Sequence, residues 1–428
     1  MTPFSRIVVL LAGAFPLAVR ADVAPPAQAP DSLVIVDPRG AVTSVQAGVH
    51  RVASGGRVLV RAGVYREPSI TIDHPLTLQG EPGAILDGSG EHTVLIVAAD
   101  DVTVRGLVLR NTGRSQSEQR AGILVQEARG CRIENNRLEA TLFALYLAHV
   151  RDCVVRGNVV RGAGGAQTLT GSGIHIWSSE RVEVAENEVY GHRDGIYFEF
   201  VTHGYVHHNR TEGSARYGMH FMYSDDCRYE HNLYRSNSNG IAVMYSKRVF
   251  MSHNRFEDNW GSAAYGLLLK NISDSHVTDN EFRSNSIGLF MEDSNRNLVR
   301  GNRFRDNGWA LKLMASAQDN TFEGNVFESN TFDVTTNSRS NFSSFSGNFW
   351  DRYRGYDLDR DGVGDVPHAP VRLFALVVSQ APQTIILLRS LVVDLLDVAE
   401  RLLPSVTPAG LVDARPLMKR PASGGTDD

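Results

Sequence analysis

Cysteine is scarce. Three in 428 residues cannot scaffold a fold with disulfides, so burial of apolar surface must hold it together. Charge of one sign is also lacking: 43 basic and 48 acidic side chains leave a formal net charge of −5. No basic stripe stands ready for a phosphate backbone, so nothing points to a nucleic-acid partner. Apolar runs of the ~20 residues that a membrane helix needs are missing too. The nearest candidate, MTPFSRIVVLLAGAFPLAVRA, is interrupted by Gly13 and Pro16. Its Arg6, its apolar run from Ile7 and its small residues ending at Ala21 are those of a secretory signal over residues 1–21. Cleavage would remove Arg6 and Arg20 and no acid, taking the net charge from −5 to −7, and would leave a mature chain outside the cytoplasm.

What the sequence does contain is a repeat. An apolar residue, two others and an asparagine recur with Asn136, Asn158, Asn187, Asn209, Asn232, Asn254, Asn280, Asn302, Asn325 and Asn348. The spacings are 22, 29, 22, 23, 22, 26, 22, 23 and 23. A second phrase keeps step: Gly173, Gly195, Gly218, Gly240, Gly266, Gly288 and Ala310 each open an alternating strand. Two phrases on one period mean an array of like units. Within each unit the apolar period is 2, without helical spacing, so the units are short strands separated by Gly, Asn, Ser and Asp. A unit this long fits one turn of a right-handed parallel β-helix, stacked at ~4.8 Å with the asparagines as an inward ladder; a propeller blade needs ~40 to 45 residues. The β-helix is expected over 22–350; GGRVLVRAGVYRE, SITIDHPLTLQGEPGAILDGSG and HTVLIVAADDVTVRGLVLRNTG resemble the opening coils of the pectin-lyase-like superfamily, which implies a helical cap, here near Val42 to Ala53. A cap is physically needed because an open end exposes a sheet edge.

The alternation decides which side chains face out. One and three residues after each opening Gly the columns are apolar throughout, from Ile174 and Ile176 to Leu311 and Leu313, and face the core. Positions +2 and +4 then face outward. They hold His175, Tyr197, His220, Ala242, Leu268, Phe290 and Lys312, and beside them Trp177, Glu199, Met222, Met244, Lys270, Glu292 and Met314. On this reading His220 and Met222 lie on the surface with Met244 one rung further. The panel is more apolar than a solvated face should be. Either a loop or partner protein covers it, with His175, Trp177, Tyr197 and Glu199 as the contact residues, or His220, Met222 and Met244 ligate a metal. The extra residues of the two long repeats, around 162–173 and 260–266, bracket this panel. The cysteines offer no alternative site: Cys131, Cys153 and Cys227 each stand five residues before their Asn, in a column shared with Val182 and Val249. Cys131 and Cys153, on adjacent rungs, are within reach of a disulfide or form stacked thiols. Cys227, roughly 14 Å away, joins neither.

Beyond the repeats, Asp357, Asp359, Asp361 and Asp365, with the Val363 carbonyl, stand at calcium-loop spacing within residues 351–370. His368 occupies the position of the closing glutamate, so the alternative is a plain acidic turn. In the 371–428 extension, residues 383–403 turn helical in character. Their charged and serine positions fall within about 140° of the helix surface, and five charges argue against a lipid-embedded span. So wide an apolar arc belongs on a membrane surface or another protein.

AAYGLLLKNISDS (263–275), NGWALKLMA (307–315), GYDLDRDGVGDVP and LLRSLVVDLLDVAERLLPS resemble the NosD family, periplasmic β-helix proteins of the machinery that matures nitrous-oxide reductase. The resemblance covers essentially the whole mature chain. It implies a periplasmic, non-enzymatic protein docked on an ABC-type permease and ATPase at the inner membrane. Such a protein takes copper from a lipoprotein chaperone and assists assembly of the copper centres of nitrous-oxide reductase. Thioether and imidazole suit Cu(I) held transiently. Two other classes compete. A carbohydrate-active lyase or epimerase would use surface charges such as Arg193, Asp194 and His203, or Asp225, Asp226 and Lys247; a structural adaptor would never touch copper.

Overall fold

The computed structural model describes residues 31–421 apart from 116–117, 163–169, 339–340, 389, 392, 394, 397 and 399–410. The expected signal over 1–21 and most of the first long repeat's insertion lie outside the described residues.

The chain winds into a right-handed parallel β-helix of about 13 turns. Its three sheets have fourteen, twelve and thirteen strands, and each interior coil contributes one strand to each sheet. Every named strand pair is parallel and joins neighbouring coils, as the 22-residue period requires. The +1 and +3 columns face inward throughout: Ile174, Ile176, Ile196, Phe198, Met219, Phe221, Leu267 and Leu269 are fully buried. Phe256, Phe282, Phe304, Phe327 and Trp350 stack coil on coil in the same core.

The asparagine ladder is continuous. Each Oδ1 accepts the backbone N–H and the Nδ2 of the asparagine one coil earlier, as Asn232 does for Asn209 at 2.9 and 3.0 Å. Each Nδ2 also donates to a backbone carbonyl, as Asn232 does to Val206 at 2.9 Å. The turn groups that a solenoid corner strands in its core are thereby satisfied. A second ladder, absent from the sequence reading, runs through Asn237, Asn259, Asn285, Asn307 and Asn330. The cysteine column works the same way, for Cys227 Sγ accepts the Gly204 N–H at 3.2 Å where later coils use Ser275 and Asn297. Cys131 and Cys153 are disulfide-linked with Cα atoms 4.6 Å apart. The opening glycines have a steric cause: a Cβ on Gly195 would sit 2.5 Å from the Gly218 carbonyl oxygen.

Both ends are closed. Helix α1 (Val45–Arg51), capped by Ser44, buries Val45 and Val49 over the first coils. At the other end the repeat does not stop at Trp350. Residues 411–418 return as a partial coil under the last one, Asp413 pairing beside Phe345 and Leu417 beside Phe349. Asp413 takes the next place in the ladder: its Oδ2 accepts from the Asn348 N–H, the Asn348 Nδ2 and the Trp350 indole at 3.0 to 3.1 Å. A terminal rung has only to accept, so a carboxylate serves where every interior rung needs an amide.

The segment expected as one helix over 383–403 differs at its start. Helix α2 (Leu373–Gln380) comes first and packs Phe374, Ala375 and Val378 on Phe332. A 3-10 turn over Pro382–Leu387 follows, because Pro382 cannot continue α2. Helical residues resume at Leu391; 399–410 lie outside the described residues. No helix among the described residues is long and apolar enough to cross a membrane.

Candidate functional site

The outer face of the twelve-stranded sheet carries three parallel columns that grade from buried to exposed. The innermost is the +2 column, in which aromatic rings stack coil on coil: Tyr146 on His175 at 4.6 Å, His175 on Tyr197 at 4.6 Å, and Tyr197 on His220 at 4.6 Å with planes 7° apart. Tyr217 closes the far side of His220 at 4.8 Å. The surface placement of His220 is therefore wrong, although its outward direction is right. His220 is 3% exposed and His175 7%, because the stacked rings and the Tyr217 column shield them from water. Burial depresses both imidazoles to a pKa of about 3, so they are neutral. Among the described residues neither ring nitrogen of either histidine has a hydrogen-bond partner, an arrangement that costs about 1–3 kcal/mol per stranded group.

The middle column is half-buried. Trp177, Glu199, Met222 and Met244 follow one another in register, with Trp177 against His149 at 4.6 Å. The Tyr197 hydroxyl donates to Met222 Sδ at 3.8 Å and so ties this column to the first. Beyond Met244 the column becomes a Lys270–Glu292 ion pair at 3.0 Å. The two thioethers thus occupy adjacent rungs between Glu199 and Lys270.

The outermost column is exposed and was missed by sequence reasoning. Phe200, Tyr223 and Tyr245 each follow the middle-column residue of their coil. They stack at 5.2 and 5.1 Å with all three rings exposed. Their φ angles of 55°, 49° and 54° mark a left-handed corner where Asn, Asp or Gly is usual, as Asn271 and Asp293 are on the next two coils. Three consecutive aromatics in such a column were the available signal. The second insertion borders the panel, with Tyr265 packed beside Tyr217 at 6.4 Å and Trp260 64% exposed.

Thiolates take no part in this face. Cys227 is buried in the core with its pKa pushed up to about 12 by burial, and Cys131 and Cys153 are bonded to each other. The acidic loop is a separate feature. Asp357, Asp359 and Asp361 bring carboxylate oxygens within 4.8 Å of one another, while Asp365 accepts the Leu358 N–H at 2.7 Å. Val363 sits opposite Leu417 between two hydrogen bonds, Gly364 N–H to Pro416 and Met418 N–H to Gly362, so its own carbonyl points away from that pairing. His368 does not close the loop. It stacks on Trp350 at 5.1 Å and exchanges backbone hydrogen bonds with Asp413.

The acids named for a carbohydrate-active site form ion pairs, Asp225 lying 3.8 Å from Lys247. Asp226 is held by both Arg248 nitrogens at 2.5 and 2.7 Å, and Asp194 is fully buried against Arg193 at 3.0 Å.

Among solved structures the chain is similar to the catalytic unit of a thermostable GH87 alpha-1,3-glucanase from Streptomyces thermodiastaticus (TM-score 0.62, 15% identity, 75% of this chain and 69% of that one). It is also similar to PfbA, a surface adhesin of Streptococcus pneumoniae (TM-score 0.58, 12% identity, 79% and 98%). At these identities the likeness is one of fold alone. Residues 163–355 match the family model described as NosD, periplasmic copper-binding protein. A relative from Pseudomonas aeruginosa, named probable ABC transporter binding protein NosD, is 33% identical over 87% of this chain and 90% of its own length. Its counterpart from Stutzerimonas stutzeri is 30% identical over 84% and 86%. With the repeat, the capped solenoid and this similarity along nearly the whole length, the chain belongs to the NosD family.

Proposed function

We propose that this protein receives copper on the Met222–Met244 face from a docked lipoprotein chaperone and passes it toward the copper centres of nitrous-oxide reductase. In this reading it works in the periplasm, held at the inner membrane by an ABC-type permease and ATPase. The observation that carries the proposal is the pair of half-buried thioethers in register on adjacent coils, beside an exposed aromatic ladder and backed by the neutral imidazole of His220. Thioethers bind Cu(I) without a proton to lose, and a neutral imidazole is ligand-competent where an imidazolium is not. Two sulfurs at the edge of an apolar face make an incomplete set. The contact is weak until the chaperone's ligands complete it and reversible when they leave. Phe200, Tyr223 and Tyr245, with Trp177 and Glu199, supply the docking surface, since aromatics provide much contact area at low entropic cost.

The test replaces Met222 and Met244 together with leucine, which keeps the apolar surface and removes both sulfurs. Chaperone docking should survive while copper transfer from the loaded chaperone fails. Wild-type transfer by this variant would reduce the methionines to interface packing and favour an adaptor that never holds copper.

A further inference from the structure

A second set of imidazoles lies at the corner between the fourteen- and thirteen-stranded sheets, away from the methionine face. The residue preceding each ladder asparagine adopts a left-handed backbone: φ is 56° at Glu186, 54° at His208, 56° at His231, 55° at His253 and 55° at Asp279. Such a position asks for Gly, Asn or Asp, and this column uses Gly157, Gly301, Gly324 and Gly347 on other coils. Backbone conformation thus permits the three successive histidines but does not demand them. Their rings stack at 5.0 and 4.9 Å and are exposed, and carboxylates, Glu186 and Asp279, occupy the rungs at either end.

The adjoining His207 is oriented as a metal ligand would be. Its Nε2 lies 3.1 Å from Glu183 Oε1. Glu183 Oε1 also accepts from the Arg156 guanidinium, in an ion pair. An ionised carboxylate accepts, so the ring proton sits on Nε2 and Nδ1 is left with its lone pair. His207 Nδ1 is 2.9 Å from His208 Nδ1. Two nitrogens bound cis to one ion at ~2.0–2.1 Å stand about that far apart.

We propose that His207 and His208, joined by His231 from the next coil, form a binding site for a borderline divalent cation such as Cu(II) or Ni(II). Imidazole nitrogen suits these ions. Rotation of the exposed His231 side chain brings its ring nitrogen onto the ion held by the pair, and Glu183 acts as the positioning residue. The site is independent of the methionine face, which offers sulfur to Cu(I).

The experiment is a calorimetric titration of the full chain with Ni(II), in excess calcium to occupy the acidic loop. One equivalent should bind. His208→Gly combined with His231→Gly, glycine being native to this column, should weaken binding at least tenfold without changing the melting temperature. Glu183→Gln should weaken it about tenfold, as loss of a carboxylate behind a ligating histidine does. Met222→Leu with Met244→Leu should leave the affinity unchanged. Equal affinity in the wild type and the double glycine variant overturns the proposal, as does loss of the site in the methionine variant.

Discussion

His175 and His220 are the two residues whose burial matters most for chemistry at this face. Their pKa values fall from 6.5 in the unfolded chain to about 3 in the folded one. Below pH 6.5 the unfolded chain therefore takes up protons that the folded chain refuses. The stability these groups contribute is fully present above that pH and is lost as pH falls toward 3. Urea midpoints should accordingly drop between pH 6.5 and 4, and His175→Phe with His220→Phe should reduce that dependence, buried His192 and His368, depressed to about 4, supplying the remainder. The ladder makes a second residue-scale prediction. Asn232→Ala strips the acceptor from the Asn209 N–H, while the Asn209 Nδ2 keeps the Val184 and His207 carbonyls, and should cost about 1–3 kcal/mol in denaturant unfolding, the cost of one stranded donor. The direction of every side chain in the panel was legible from the period of 2, which is a property of the strand itself. Whether an outward residue is wet was not, because His220 is hidden by rings from residues 3 and 23 positions earlier in the chain. No local pattern contains that information.

At the scale of elements, the repeat, the inward asparagines and the N-terminal cap were legible because each rests on neighbours one coil away. The closing coil was not. Asp413 continues the ladder 65 residues after Asn348 and is not an asparagine, so neither spacing nor residue type announces it. Asp413→Leu should lower the melting temperature markedly, since three buried donors lose their acceptor, whereas Asp413→Asn retains a carbonyl oxygen and should cost less. The acidic loop is fastened to this coil through Gly362 and Gly364, so an ion in the loop would stabilise the end of the solenoid. If calcium is that ion, a chelator should lower the melting temperature of the wild type and leave that of Asp359→Ala unmoved. Equal responses from the two would identify a plain turn.

For the whole molecule, the exposed apolar residues of the extension are the surface through which the proposed attachment would be made. Leu391 is 79% exposed and Leu395 67%; Ile385 and Leu388 of the same extension line a groove with Trp260 and Trp309. Leu391→Asp with Leu395→Asp should abolish co-purification with the permease while leaving the β-helix intact; undiminished co-purification would remove the anchoring role. Truncation before residue 411 is the wrong test of that role, because it also deletes the closing coil. That coil has a consequence for the order of events in export. Each interior turn can settle as soon as its own 22 to 29 residues have emerged, by contacts short in sequence. The closing turn must wait for residues 411–418 to arrive. Until then the growing solenoid presents a bare edge, a template for any neighbouring strand. Residues 411–418 therefore decide when that edge is covered, and chains interrupted just short of them should be found joined end to end.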